Sequence, residues 1–169
     1  MKLAIVSDTH GNWPLVWDAI RREADVDYLL FLGDHASDGR QLQQALGIPA
    51  FIVRGNCDAC EDAPEEQLVE LGGWKLLLCH GHRYHVKQNL QSIYYRGLEA
   101  GADIVLFGHT HQAIYEAGAV TLINPGSVSS RNLALDTASW GLLTLSDKKE
   151  ENFFLNCNSK CNIYFSRKE

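Results

Sequence analysis

The chain has 169 residues, enough for one domain with a sizeable buried core. Its 46% hydrophobic and 21% charged residues fit an ordinary globular protein and exclude a disordered or low-complexity one. The formal charge of −6 gives no nucleic-acid signal, since a phosphate backbone needs clustered Lys and Arg.

The chain enters a short apolar strand over residues 3–6, so no leader is expected in front of it. No apolar run approaches the roughly 20 residues that span a bilayer, so a cytoplasmic protein is expected. Asn12 is positioned to cap a first helix, with Pro14 in its first turn and Leu15, Val16, Ala19 and Ile20 on its apolar face. Residues 28–32 read as a second strand, 41–46 as a short helix ended by Gly47 and Pro49, and 50–53 as a third strand. Continuous apolar strands alternating with helices indicate a sheet buried on both faces. Gly72-Gly73 then joins strands at 67–71 and 74–79 in a hairpin. A longer helix is expected from about residue 87 to 100, followed by a buried strand at 104–107. A second hairpin spans 113–115 and 120–123, and Asn124-Pro125-Gly126-Ser127 makes a tight turn. Three antiparallel strands close the chain, at 139–145, 152–156 and 162–165. The expected architecture is a four-layer α/β/β/α sandwich, two mixed sheets with flanking helices, forming a single domain over residues 1–169.

Five polar clusters each follow an apolar run: Asp8-Thr9-His10, Gly33-Asp34-His35, Gly55-Asn56-Cys57-Asp58, His80-Gly81-His82 and Gly108-His109-Thr110-His111. Strands passing through a core would deliver these carboxylates, imidazoles and amide to one sheet edge. Such an edge can hold two divalent ions, which supply a strong nucleophile and neutralise charge at a phosphate ester. Two such ions would also cancel four of the six net negative charges, so the acidity does not exclude a phosphate substrate. Asp34 suits a bridging role because Gly33 leaves room beside it. Strand alternation would point Asp8 and His10 the same way, and His109 and His111 likewise. Imidazole with carboxylate and one amide suits Mn²⁺ first, with Ni²⁺, Fe, Co²⁺ or Zn²⁺ as alternatives, better than Ca²⁺.

The order Asp8-x-His10, Gly33-Asp34, Gly55-Asn56, His80, Gly108-His109-x-His111 resembles the calcineurin-like metallophosphoesterase superfamily. Within it, Gly55-Asn56-Cys57-Asp58 and the small size are similar to the YfcE-type branch of bacterial and archaeal phosphodiesterases. The resemblance reaches to about Asn124-Pro125-Gly126-Ser127, and the last forty residues match only as generic strands. It implies one ion held by Asp8, His10, Asp34 and His111, and a second by Asp34, Asn56, His80 and His109. It also implies a metal-bridging hydroxide as nucleophile, a small phosphodiester substrate and assembly as a homodimer or homotetramer. Phosphomonoesterase or nucleotide-hydrolase activity at the same site is the alternative. The same fold used as a protein-binding scaffold is the competing class; it would be marked by lost ligands, and none of the seven is missing.

Around these ligands the candidate catalytic set is Asp34, Asn56, Cys57, Asp58 and His82. Cys57 stands where many superfamily members carry a histidine. Two cations nearby would favour its thiolate, and a thiolate is a poor acid, so esters with good leaving groups are the expected substrates. Asp58 either orients a neighbour or serves its turn, and His82 either donates to a ligand or is a polar loop residue. His35 and His85 read as rim residues, while Trp13 and Tyr84 either wall the pocket or simply pack. Arg83 and Arg131 are candidate phosphate contacts, although Arg131 lacks the preceding proline common in the family, and Arg54 reads as a structural ion pair. Five cysteines argue against a full disulfide framework. A four-cysteine zinc site from Cys57, Cys60, Cys157 and Cys161 is the minor alternative, and Cys79 reads as a buried thiol.

Overall fold

The computed structural model describes residues 1–146 apart from 24, 60 and 61, and the backbone of 151–157 and 161–167. Three parallel strands, β1 (Lys2–Val6), β2 (Tyr28–Phe31) and β3 (Ala50–Ile52), are linked by α1 (Trp13–Ile20) and α2 (Ala36–Leu46). A hairpin of β4 (Glu66–Leu71) and β5 (Trp74–Cys79) is followed by a 3-10 turn at His82–Tyr84 and α3 (Gln91–Ala100). After β6 (Ile104–Leu106) come β7 (Ala113–Glu116), β8 (Thr121–Pro125) and the five-residue α4 (Ser130–Ala134). The antiparallel strands β9 (Ser139–Leu145), β10 (Glu151–Cys157) and β11 (Cys161–Arg167) end the chain.

One sheet runs β11-β10-β9-β1-β2-β3 and the other β4-β5-β6-β8-β7, both mixed. Side-chain alternation explains why their central strands are apolar throughout. Leu3 and Ile5 of β1 face inward with Leu30, meeting Leu76, Leu78, Ile104 and Leu106 of the other sheet. Ala4 and Val6 face outward with Leu29 and Phe31, against Val16, Ile20 and Leu42 of α1 and α2. On the far face Leu77 and Val105 pack on Ile93 of α3. The result is the expected α/β/β/α sandwich.

Several details differ from expectation. α2 starts at Ala36 rather than Gln41, directly after the His35 turn, whereas α3 starts at Gln91 rather than Lys87 because residues 85–90 form turns. Asn12 occupies the N-cap of α1 but makes no capping bond; its amide donates to Thr9 O at 3.2 Å and Ser130 Oγ at 3.3 Å. β8 continues to Pro125, so the turn falls on Gly126 at φ +85°. α4 was not expected, since five residues are too few for a periodic signal. Cys157 and Cys161 are register partners, but their side chains, like Cys60, lie outside the described residues.

Candidate metal centre

Most of the ligand residues sit in turns beyond the strands, while His80 directly follows β5. Asp8, His10, Asp34, His109 and His111 all have left-handed backbones, with φ between 46° and 67°. Each such residue costs on the order of 1–3 kcal/mol, a strain that persists only where the surroundings enforce it. Strand alternation is therefore not what aligns Asp8 with His10. β1 stops at Val6, and the bends beyond it turn both side chains to the same side.

Two groups of ligand atoms form. Those of Asp8, His10 and His111 lie within 4.8 Å of one another, as do those of Asp34, His80 and His109. Asp34 connects the groups: its Oδ2 is 3.9 Å from His10 Nε2 and its Oδ1 is 3.4 Å from His80 Nε2. His111 Nε2 approaches Asp8 Oδ1 to 3.1 Å, yet the alignment is not that of a hydrogen bond.

The glycines before the ligands are required by close contact. A Cβ on Gly33 would lie 2.6 Å from Gly55 N, and one on Gly55 would lie 2.2 Å from Asp34 Oδ1. On Gly108 it would lie 1.9 Å from Ser7 Oγ. Only bare backbone lets these loops converge.

Among the described residues, the buried side-chain atoms without a hydrogen-bond partner are Asp8 Oδ1, His10 Nε2, His80 Nε2 and His82 Nδ1. Buried polar atoms are nearly always satisfied, so the orphaned atoms of Asp8, His10 and His80, which belong to the two ligand groups, are ligand capacity held open. His80 is oriented for this, because its Nδ1 bonds Leu32 O at 2.8 Å and leaves Nε2 facing the carboxylates. The residues fit two divalent ions.

Charge follows the same plan. Burial pulls the His10 imidazole down, and burial with the charges of His80 and Lys87 brings His109 to about 4, so both offer lone pairs at neutral pH. Burial opposes ionisation of Asp8, but His111, His80 and Ser7 outweigh it and hold the carboxyl low. The same competition, with His80 and Cys57 as the stabilisers, keeps Asp34 well below the usual carboxylate range. His80 moves up despite its burial, because Asp34 and Asp8 face it. Burial, then Asp34, pushes the Cys57 thiol up to about 11, and its Sγ donates to Asp34 Oδ2 at 3.3 Å. With no cation bound, burial and the Asp34 carboxylate thus hold Cys57 as a thiol.

Other expected site residues fall in varied places. Asn56 is exposed, with Nδ2 3.5 Å from Cys57 Sγ, and the adjacent Cys57 N donates to Asp34 Oδ1 at 2.9 Å. Asp58 is buried and accepts from Gly55 N at 2.7 Å and Ala36 N at 2.8 Å, so it holds two ligand loops together. The His82 ring lies 5.4 Å from His80 and 6.1 Å from His109, and His35 lies 5.0 Å from His10. Arg83 and Arg54 both pair with Glu65, whereas Arg131 is exposed and lines the same cleft as His111. Tyr84 hydrogen-bonds Glu66, which also binds Arg96, and Trp13 packs under the helices.

The supporting residues were not foreseen. Asp8 Oδ2 accepts from Ser7 Oγ at 2.6 Å and His109 N at 3.0 Å, which turns Oδ1 into the site. Asp38 accepts from Thr9 Oγ1 at 2.6 Å and Gly11 N at 2.7 Å, bracing the His10 loop. Asn124 Nδ2 donates to Gly108 O and Asn132 Nδ2 to His111 O, both at 2.8 Å. Asn124 lay in a noted turn; Ser7, Asp38 and Asn132 carry no sequence signal of their own.

Comparison with known proteins agrees with this geometry. The chain is 40% identical over 147 residues to the probable metallophosphoesterase YsnB of Bacillus subtilis, covering 86% of this chain and 85% of the relative. It is 30% identical over 146 residues to the phosphodiesterase MJ0936 of Methanocaldococcus jannaschii, covering 75% and 83%. A Streptococcus pneumoniae protein described as a predicted phosphoesterase superposes with TM-score 0.77 at 25% identity, covering 98% and 97% of the two chains. The profile of the calcineurin-like phosphoesterase superfamily domain matches residues 1–148, and the chain belongs to that superfamily.

Proposed function

We propose that the protein is a dinuclear metal-dependent phosphodiesterase, a single domain acting on small phosphodiesters in the cytoplasm. The observation that carries this reading is Asp34, whose two carboxylate oxygens face two separate groups of ligand atoms. The name of the Methanocaldococcus relative supports the choice of diester over monoester. Asp8, His10, Asp34 and His111 would hold one ion; Asp34, Asn56, His80 and His109 the other, with Mn²⁺ first in order of expectation. When bound, the ions would supply charge neutralisation at phosphorus and an acidified water.

The chain's own residues supply position. Asp34 presents one oxygen to each group, and Asp58 and Gly55 keep its loop in place. His80 is locked by Leu32 O, and Asp8 by Ser7 and His109 N, so the ligands are arranged in advance and bind at little ordering cost. Cys57 donates to Asp34 and is not needed to protonate a good leaving group.

The test uses chelated protein restored with Mn²⁺, Ni²⁺, Co²⁺ or Zn²⁺ singly, assayed on an aryl phosphodiester and the matching monoester. Preferential diester hydrolysis with two ions bound per chain is expected. Faster monoester hydrolysis would move the reading to a phosphomonoesterase. Hydrolysis of neither with any metal would overturn the enzyme and favour a protein-binding scaffold.

A further inference from the structure

Beside His111 the site opens into a cleft of about 780 Å³, lined among others by Lys87, Gln112, Arg131, Asn132 and Leu135. That is room for a small organic molecule, whose pockets typically measure about 300–1,000 Å³. The wall of the cleft is tied to the ligand loop, since Asn132 Nδ2 donates to His111 O at 2.8 Å. Ser129 caps the short helix that carries Arg131. Leu135 is 62% exposed and presents an apolar surface there.

The cations of this cleft differ from five arginines elsewhere on the described surface. Arg21 and Arg22 pair with Asp18, Arg54 and Arg83 with Glu65, and Arg96 with Glu66 and Glu99. Lys87 and Arg131 have no ion-pair partner among the described residues, although the chain carries a net charge of −6. Asp136, the carboxylate among the described residues lining the cleft, is engaged in an interaction of its own. Lys87, Arg131 and His111 line the same cleft, which places the two cations at one edge of the ligand cluster.

The reacting phosphate already has its cationic partners in the two ions of the proposed function, on which this step rests. Lys87 and Arg131, without an ion-pair partner among the described residues, are available to a different anion. We infer that the cleft is a subsite for a second phosphate, carried on the alcohol portion of the phosphodiester and held by Arg131 and Lys87. An arginine fork matches phosphate oxygens two at a time and a lysine adds a point charge, while Leu135 offers a surface to the ring or sugar between the phosphates.

The test compares thymidine 5′-(p-nitrophenyl phosphate) with the same compound bearing a 3′-phosphate, using the full Mn²⁺-restored chain. The 3′-phosphorylated substrate should have a kcat/KM at least about tenfold higher, about 1.4 kcal/mol of extra transition-state binding. Lys87→Gln with Arg131→Gln should erase that ratio, and Arg131→Lys should keep part of it. Both side chains are exposed, so the variants should fold, and unchanged melting checks this. Calorimetric titration with thymidine 3′,5′-bisphosphate reads the subsite without turnover, and the double variant should bind it about tenfold more weakly. Equal handling of the two substrates by the wild type, or a preference that survives in the double variant, overturns the inference. Absent hydrolysis of both substrates overturns the proposed function instead, and the calorimetric loss then decides the subsite alone.

Discussion

Replacing Gly55 by alanine tests whether close backbone approach, rather than ligand identity alone, builds this site. The new Cβ would sit 2.2 Å from Asp34 Oδ1 and 2.5 Å from Asp34 N, so rotating the carboxylate does not relieve the clash. The loop carrying Asn56 or the one carrying Asp34 must move by several tenths of an ångström. Overpacking of this kind costs about 1–3 kcal/mol, and in a chain of this size about 2 kcal/mol lowers the melting temperature by roughly 4–8 °C. Metal affinity should fall about 10–100-fold, the usual loss when the support of a ligand is disturbed. Gly97→Ala is the matched control: its Cβ would meet Val105 Cγ2 at 2.6 Å, so it strains the packing of α3 far from the site. Calorimetric Mn²⁺ titration and thermal melting of both chelated variants separate the effects. Both variants should melt lower, and only Gly55→Ala should bind metal more weakly. Wild-type Mn²⁺ affinity in Gly55→Ala would refute the idea that the Gly33–Gly55 approach positions Asp34.

Two more outcomes are expected. Burial raises the Glu66 carboxyl, but hydrogen bonds from Arg96 and Tyr84 outweigh it and hold it below its ordinary 4.5. A depressed carboxyl stabilises the fold fully above its unfolded pKa, and that contribution is lost as pH falls through the folded value. Glu66→Gln should therefore cost about 1–2 kcal/mol at neutral pH, allowing for partial exposure, and nothing in strong acid. Denaturant melts from pH 7 to 3 read this, and a penalty constant over the range would contradict it. Cys57→Ser should retain turnover of an activated aryl phosphodiester, because a hydroxyl can donate to Asp34 as the thiol does. Lost turnover with two ions still bound would make Cys57 an essential group.

Much of the candidate site was legible in the chain because each ligand cluster directly follows a short apolar run bounded by glycine or polar turns, the mark of a strand crossing a core. Asp8, His10, Asp34, His80, His109 and His111 stand beyond such runs, and the fold gathers their ligand atoms into two groups; Arg54 stands in its expected ion pair. Arg83 was not separable from Arg131 by sequence. Its partner Glu65 is 18 residues away and meets it only when β4 and the 82–84 turn come together.

The sequence by itself determined the strands, their burial on both faces and which residues stand at the edge. Those depend on local pattern: the periodicity of apolar residues and the glycines between them. Tertiary structure alone decided how the ligands divide and what braces them. Asp8 meets His109 N across 101 residues of chain, and Asp38 holds the His10 loop across 27. Such contacts leave no local trace, because their energy is realised only once both sheets have paired. The left-handed turns that aim five ligands inward are held in place by that same packing.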